Sequence, residues 1–357
     1  MIDLAYAAPF LASSRLARCR WLALGLSTAL LACSPQERAQ TGAASSANTD
    51  VATASSASAA PDQASGAAAP ASAASSMQTG DTASRVVALE YSYLDMLAAL
   101  GVKPVGGALG NTGAERGAPA YLQQYLDGVA DVGTRAQPSL EAISALKPDL
   151  ILADSKIQAS VLPALRNIAQ VQDYNNRSAS YDDVMEQLRS VGKLTGRQTQ
   201  AQAELDRQAR LLEDTRAAAA PDAPAVLAAV ATPEAFLVHS SQSFAGSLFQ
   251  KLGRSYVAQA KDGDVIYEVS LEGLAALNPP SLVLMNAQDQ TPITVKWASN
   301  PLWQGLDAVK AQRVYEVDRD LWARSRGPLS VERIFGQMRD SGLLNNQAPA
   351  EGFRPRP

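Results

Sequence analysis

The sequence predicts an α/β protein of two lobes joined by a single long helical connection, with a ligand cleft between the lobes, and three observations carry that prediction. From residue 85 onward, short apolar runs alternate with segments of helical periodicity. The alternation is interrupted once, by a stretch with no strand signal. A helix–proline–strand phrase is written twice, as SLEAISALKPDL from Ser139 and SLEGLAALNPPSL from Ser270.

The chain opens with a segment outside this pattern. RLARCRWLALGLSTALLAC places Arg15, Arg18 and Arg20 ahead of an apolar run from Trp21 to Ala32. That is the order of an export signal, and the run is too short for a permanent membrane span. It closes on Leu30-Leu31-Ala32-Cys33, which looks like a bacterial lipobox, so residues 1–33 read as a lipoprotein signal with Cys33 as the lipidated residue. A plain cleaved signal with an incidental cysteine is the alternative. Residues 34–84 are almost wholly Ala, Ser, Thr, Gly, Gln and Pro. They offer too little apolar surface to offset ordering and are expected to form a flexible tether. Residues 345–357, NNQAPAEGFRPRP, are expected to form a flexible tail for the same reason.

Loss of residues 1–32 removes three Arg and one Asp, leaving 28 basic against 34 acidic residues. That balance argues against nucleic acid as a partner. With Cys19 in the signal and Cys33 acylated, the folded part has no thiol or disulfide, and its stability rests on packing.

The N-terminal lobe, 85–180, carries strand signals at 86–90, 104–109, 129–132, 150–153 and 171–174, separated by helical segments at 93–100, 121–126, 140–146 and 161–168. In the connection, 181–218, Tyr181, Val184, Met185, Leu188 and Val191 recur at helical spacing. Gly192 and Gly196 mark where this segment bends or splits into two helices. The C-terminal lobe, 219–344, resumes with strands at 226–231, 235–238, 282–285 and 313–317, and helices at 244–252, 271–277 and 329–343.

Each copy of the repeated phrase places a glutamate, Glu141 or Glu272, in the first turn of its helix, where the helix dipole favours a carboxylate. Ser139 and Ser270, two residues earlier, are natural N-caps. Capping accounts for each glutamate separately, but not for the use of the same device in both lobes.

Between α/β lobes, ligands lie in the crevice beyond the strand ends. Arg135 follows Gly133-Thr134 after one such strand, Arg319, Arg324 and Arg326 follow another in DRDLWARSRG, and His239 follows the strand at 235–238. A guanidinium stays charged and grips a carboxylate through two parallel bonds, each charge-assisted bond being worth roughly 1.5–3 kcal/mol. These residues therefore suit an anionic ligand. The plainer alternatives are lobe-bracing pairs of Arg135 or Arg319 with Asp131, Asp318 or Asp320, and a hydrogen-bonded histidine at a strand end. Glu90, Tyr91, Tyr93 and Trp322 are further candidates for the cleft wall, with burial in the core as the alternative for the aromatics.

One histidine and no free cysteine argue against a metal-dependent enzyme. A Ser-His-Asp hydrolase through His239 and Ser240, Ser241 or Ser243 lacks the G-x-S-x-G turn, and GGALGNTG from Gly106 lacks the lysine of a phosphate-binding loop.

VVALEYSYLDMLAALGVKPVG (86–106), DVGTRAQPSLEAISALKPDLILAD (131–154) and NPLWQGLDAVKAQRVYEVDRDLWARSRGPLSVERI (300–334) carry a family resemblance. Residues 85–343 resemble the substrate-binding proteins of bacterial ABC importers for ferric siderophores, haem and cobalamin, called class III periplasmic binding proteins, and are similar above all to the members that bind ferric dicitrate. The resemblance implies two Rossmann-like lobes, no enzymatic activity and a monomer. It implies a ferric carboxylate siderophore as ligand, with iron bound through the siderophore and no cofactor. It also implies that Glu141 and Glu272 dock on arginine pockets of a membrane permease, which works with its ATPase, and that His239 contacts the ligand. The place of action is then the periplasm or cell envelope, with the lipid on Cys33 as membrane anchor. Receptors for haem, a hydroxamate siderophore or cobalamin, and a non-transport envelope scaffold, remain the alternatives.

Overall fold

The computed structural model describes residues 82–110 and 117–356. The expected signal, Cys33 and all but the last three residues of the expected tether lie outside the described residues.

The first sheet is built from β1 (Val86–Ala88), β2 (Gly106–Gly107), β3 (Ala130–Asp131), β4 (Leu150–Asp154) and β5 (Gln170–Tyr174). All pair in parallel in the order β3-β2-β1-β4-β5. A parallel sheet needs cover on both faces, and β1 and residues 150–153 of β4, at the centre of the sheet, are apolar and fully buried for that reason. Val86 and Ala88 belong to one hydrophobic cluster, while Val87 and the following Leu89 belong to another. The covering helices are α1 (Tyr91–Ala99), α2 (Leu140–Ala145) and α3 (Leu162–Arg166).

The connection is two helices, α4 (Tyr181–Leu194) and α5 (Gln198–Ala217), which break at Thr195-Gly196-Arg197. The single long helix is thus replaced by the split that the two glycines allow. A side chain at Gly192 would place its Cβ 2.5 Å from Cβ of Ala201, so the close approach of α4 and α5 requires glycine there. Ser180 opens α4 with a capping box closed by Asp183.

The second sheet comprises β6 (Val226–Ala231), β7 (Phe236–His239), β8 (Ile266–Glu268), β9 (Ser281–Asn286) and β10 (Val314–Asp318), in the order β10-β9-β6-β7-β8. β6, β9 and β10 are parallel, whereas β7 and β8 add antiparallel at one edge. Around it lie α6 (Phe244–Lys251), α7 (Leu271–Leu277), α8 (Ile293–Trp297), α9 (Pro301–Gly305) and α10 (Asp307–Lys310). α11 (Pro328–Asp340) packs on both α1 and α5. Ser139 and Ser270 accept from the backbone N–H of Ala142 and Gly273, each at 3.2 Å, so both copies of the repeated phrase begin with the expected cap. Glu141 and Glu272 are exposed.

Two features fall outside the sequence reading. Asp95 of α1 is fully buried and caps α11 from the opposite lobe: its Oδ1 accepts from the N–H of Leu329 at 2.8 Å, and its Oδ2 from the N–H of Ser330 at 2.9 Å and the Tyr121 hydroxyl at 2.5 Å. The residue at the N-cap position, Gly327, has no side chain, and a Cβ there would lie 2.4 Å from Cγ of Asp95. The second feature corrects the expected flexible tail. Tyr315 donates to the carbonyl of Gln347 at 2.5 Å, and Ala350 to that of Ser341 at 3.1 Å. The Arg356 guanidinium pairs with Glu316 and donates to the carbonyls of Ala287, Gln288 and Gln290 at 3.0–3.2 Å. Composition alone hides these specific partners, which tie residues 345–356 to the second sheet. Likewise Ser84, at the end of the expected tether, donates to Asp149 through its N–H and its hydroxyl.

Candidate functional site

The carboxyl ends of the first sheet deliver one wall of an interlobe cavity of about 320 Å³. Glu90 lies just after β1, Asp154 ends β4, Arg135 follows β3, and Asn176 and Arg177 follow β5. The other lobe contributes Val230, Thr232, Leu237, His239 and Ile266 together with Arg319, Arg324 and Arg326. Of the nine residues that the sequence proposes for the cleft, six line this cavity: Glu90, Arg135, His239, Arg319, Arg324 and Arg326.

Tyr91 and Trp322 do not, and are corrected to supporting core positions. Both are 1 % exposed. The Tyr91 hydroxyl donates to the carbonyl of Gly117 at 3.0 Å and its ring lies under the Arg135 guanidinium, 5.1 Å from the centroid. The Trp322 indole donates to Oε1 of Gln337 at 2.6 Å, with its ring 6.2 Å from Phe249. Tyr93 is likewise buried, its hydroxyl bonded to the carbonyl of Ala153 at 2.9 Å. Large flat side chains gain most from full burial once their one polar atom has a partner.

Arg135 pairs with Glu90, and the Asp131 carboxylate accepts from the N–H of Gly133 and Leu109. Glu90 is fully buried, and its second oxygen accepts from Nε2 of Gln158 at 2.9 Å. Burial pushes the Glu90 carboxyl above its ordinary range, against the opposing pull of Arg135 and Gln158. Asp154 accepts four backbone N–H groups, those of Lys156, Ile157, Asn176 and Arg177, and so fixes two loops of the wall.

In the other lobe, Asp320–Ser325 forms one π-helical turn, a distortion that recurs at functional sites. It aims Arg319 and Arg324 at the cavity, with Asp320 between them at 3.6 and 3.2 Å. The turn ends on Arg326 in the left-handed region (φ 46°), which is uncommon for a non-glycine residue. Arg326 is 8 % exposed and donates across the cleft to the carbonyl of Asn176. Burial lowers it to about 10, helped by the neighbouring positive charge of Arg135. Burial also lowers Arg324, and Arg319 and Arg135 add to the crowding of positive charge.

His239 is the last residue of β7 and not the residue after it, and pairs in the sheet with Ala228 and Ile266. It is 3 % exposed, with no hydrogen-bond partner for Nδ1. Burial first, then Arg326 and Arg177, lower it to about 3, so the folded protein holds a neutral imidazole. The unfolded chain takes up a proton there below about pH 6.5 while the native state does not, so stability present above that pH is lost as pH falls toward 3. Urea titrations should show the wild type losing roughly 2 kcal/mol more than His239→Gln between pH 7 and pH 5. Parallel losses in the two proteins would assign the acid sensitivity elsewhere.

Arg177 and Asp154 were missed by the sequence reading. Both stand at the carboxyl ends of strands already located, in LILAD and in NNRS after QVQDY, so strand position was the available signal.

Two α/β lobes that face each other across an arginine-lined cavity, with helices as the crossing, define a two-lobed ligand-binding protein. The chain belongs to the periplasmic binding protein family, whose model, described as "Periplasmic binding protein", matches residues 86–321. It is 37% identical over 253 residues to the Fe(3+) dicitrate-binding periplasmic protein FecB of Escherichia coli, covering 71% of this chain and 83% of that protein. It is 34% identical over 255 residues to the Fe(3+)-citrate-binding protein YfmC of Bacillus subtilis, covering 70% and 78%. Staphylococcus aureus SirA complexed with staphyloferrin B shares the fold, with a TM-score of 0.65 at 23% identity over 75% of this chain and 96% of that one.

Proposed function

We propose that this protein captures a ferric carboxylate complex, ferric dicitrate or a close relative, in the interlobe cavity and presents it to the permease of an ABC importer. The observation that carries this reading is the charge of the wall: Arg135, Arg177, Arg319, Arg324 and Arg326 stand against Glu90 and Asp154. A semi-buried excess of guanidinium favours a ligand with several carboxylates and a net negative charge. The names of the FecB and YfmC relatives point to the same class. In this reading the iron is held by the ligand's own oxygens, and the protein contributes no cofactor and no catalysis. It acts as a monomer held to the membrane through lipid on Cys33. Glu141 and Glu272, each exposed on the first turn of a helix in its own lobe, are the docking points for the permease.

Titration with ferric citrate under tryptophan fluorescence should give a saturable response. A response to haem or a hydroxamate siderophore, with none to ferric citrate, reassigns the ligand. Arg324→Ala should weaken ferric citrate binding about tenfold or more, the worth of one charge-assisted bond. Unchanged affinity removes Arg324 from the site. Arg324 is the cleaner test than Arg326, which also bonds the opposite lobe.

A further inference from the structure

We propose that Glu90 is the residue that matches the site's charge to its ligand, taking up a proton when a polyanionic complex enters the cavity. The inference rests on the ligand class proposed above. The two carboxylates in the cavity wall, Asp154 and Glu90, are held differently. Asp154 is committed to four backbone N–H donors that belong to the fold and do not change with ligand. Glu90 has only side-chain partners, Arg135 on one oxygen and Gln158 on the other.

Gln158 cannot strengthen its hold, because its second amide hydrogen already goes to the carbonyl of Arg135 at 2.6 Å and its oxygen accepts from the N–H of Asp154 at 2.5 Å. The one guanidinium in direct contact with Glu90 is therefore that of Arg135, which itself faces the ligand space. A ligand carboxylate arriving at Arg135 shares that positive charge and sets a second anion beside a buried one. Like charges in a desolvated site favour the neutral form of the weaker-held group. A proton moves from solvent to a Glu90 oxygen, and one negative charge in the wall is exchanged for the one the ligand brings.

The groups around Glu90 leave it as the acceptor. Arg135, Arg177, Arg324 and Arg326 face it as cations from the loops after β3 and β5 and from the π-helical turn. Tyr93 on α1 is a neutral hydroxyl, raised well above its ordinary range by burial and then by Glu90 and Asp154. His239, on the opposite wall, is the other group able to gain a proton there. A site with one adjustable charge accepts complexes that differ by one unit of charge without rebuilding its arginines.

Calorimetric titration with ferric citrate near neutral pH, in buffers of different ionisation enthalpy, reads the protons taken up per complex. Wild type should take up between about half a proton and one proton more than Glu90→Gln, so its affinity should gain up to about tenfold per unit fall in pH relative to that variant. Both proteins see the same ligand, so protonation of the ferric citrate cancels in the comparison. Binding with equal proton uptake in the two proteins overturns the inference and transfers the proton to His239 or to the ligand. A ligand-free reading of the same residue comes from the carbon-13 shift of the Glu90 carboxyl. A neutral carboxyl at pH 7 without ligand also overturns it, whatever the ligand proves to be. Failure of ferric citrate to bind either protein overturns the ligand assignment instead, and the proton count is then read with iron-free citrate as the anionic probe.

Discussion

Replacing Asp95 with alanine should lower the stability of the folded protein by about 3–5 kcal/mol, because three buried donors lose their acceptor at about 1–3 kcal/mol each. The carboxylate holds two backbone N–H groups of α11 and the Tyr121 hydroxyl, none of which has an alternative acceptor on Gly327. Chemical unfolding followed by circular dichroism measures the change, and a loss below about 1 kcal/mol would show that water replaces the carboxylate without cost. Burial pushes Asp95 up to about 7 against the pull of these donors. Its contribution is therefore fully present below about pH 4 and declines as pH rises through 7, the reverse of the His239 effect. Asp95→Asn retains an acceptor and should lose less stability than Asp95→Ala, while showing no decline between pH 4 and 7 from this position.

The second large effect is expected in transport and not in stability. Glu141→Ala combined with Glu272→Ala should cut permease-dependent uptake by roughly tenfold to a hundredfold, because truncating one partner of a hydrogen-bonded interface charge pair acts directly on complex lifetime. Ligand affinity and unfolding midpoint should stay at wild-type values, since both side chains are exposed and distant in sequence from every cavity-lining residue except Arg135 and Ile266. Ser139 and Ser270 still cap their helices in the double variant. Uptake at the wild-type rate would return the repeated phrase to a purely architectural role. The measurement is iron-55 uptake in cells that carry the cognate permease, with binding measured separately on the purified variant.

The lobes were legible because a doubly covered parallel sheet writes itself as apolar runs: LILAD and VLAAVA are buried from end to end. The edge strand β8, with Ile266 and Tyr267 half-buried and Glu268 exposed, writes no such run. The short helices α8 to α10 are four or five residues each, little more than one turn and too short to establish a period. The arginines of the site were legible because DRDLWARSRG concentrates charge after a strand. Trp322, inside that stretch, was misplaced because the π-helical turn rotates it away from its charged neighbours into the core. Asp95 was invisible in YSYLDMLAA, since its partners lie 234 and 235 residues away. A lone carboxylate in an apolar helix, and a helix starting at Gly-Pro with no capping side chain, were the two halves of that signal.

One buried hydrophobic cluster runs from Val86 and Leu97 in the first lobe, through Val184 and Leu188 in α4, to Leu248, Trp322 and Phe335 in the second. The lobes are separate in what they bind and present, yet they share a single folding unit. Denaturation should therefore not release one lobe while the other stands, because each would be left with the apolar face its neighbour had covered. A gene split at the break between α4 and α5 would yield two insoluble halves, and a two-part reporter built on this protein needs its junction in an exposed loop instead.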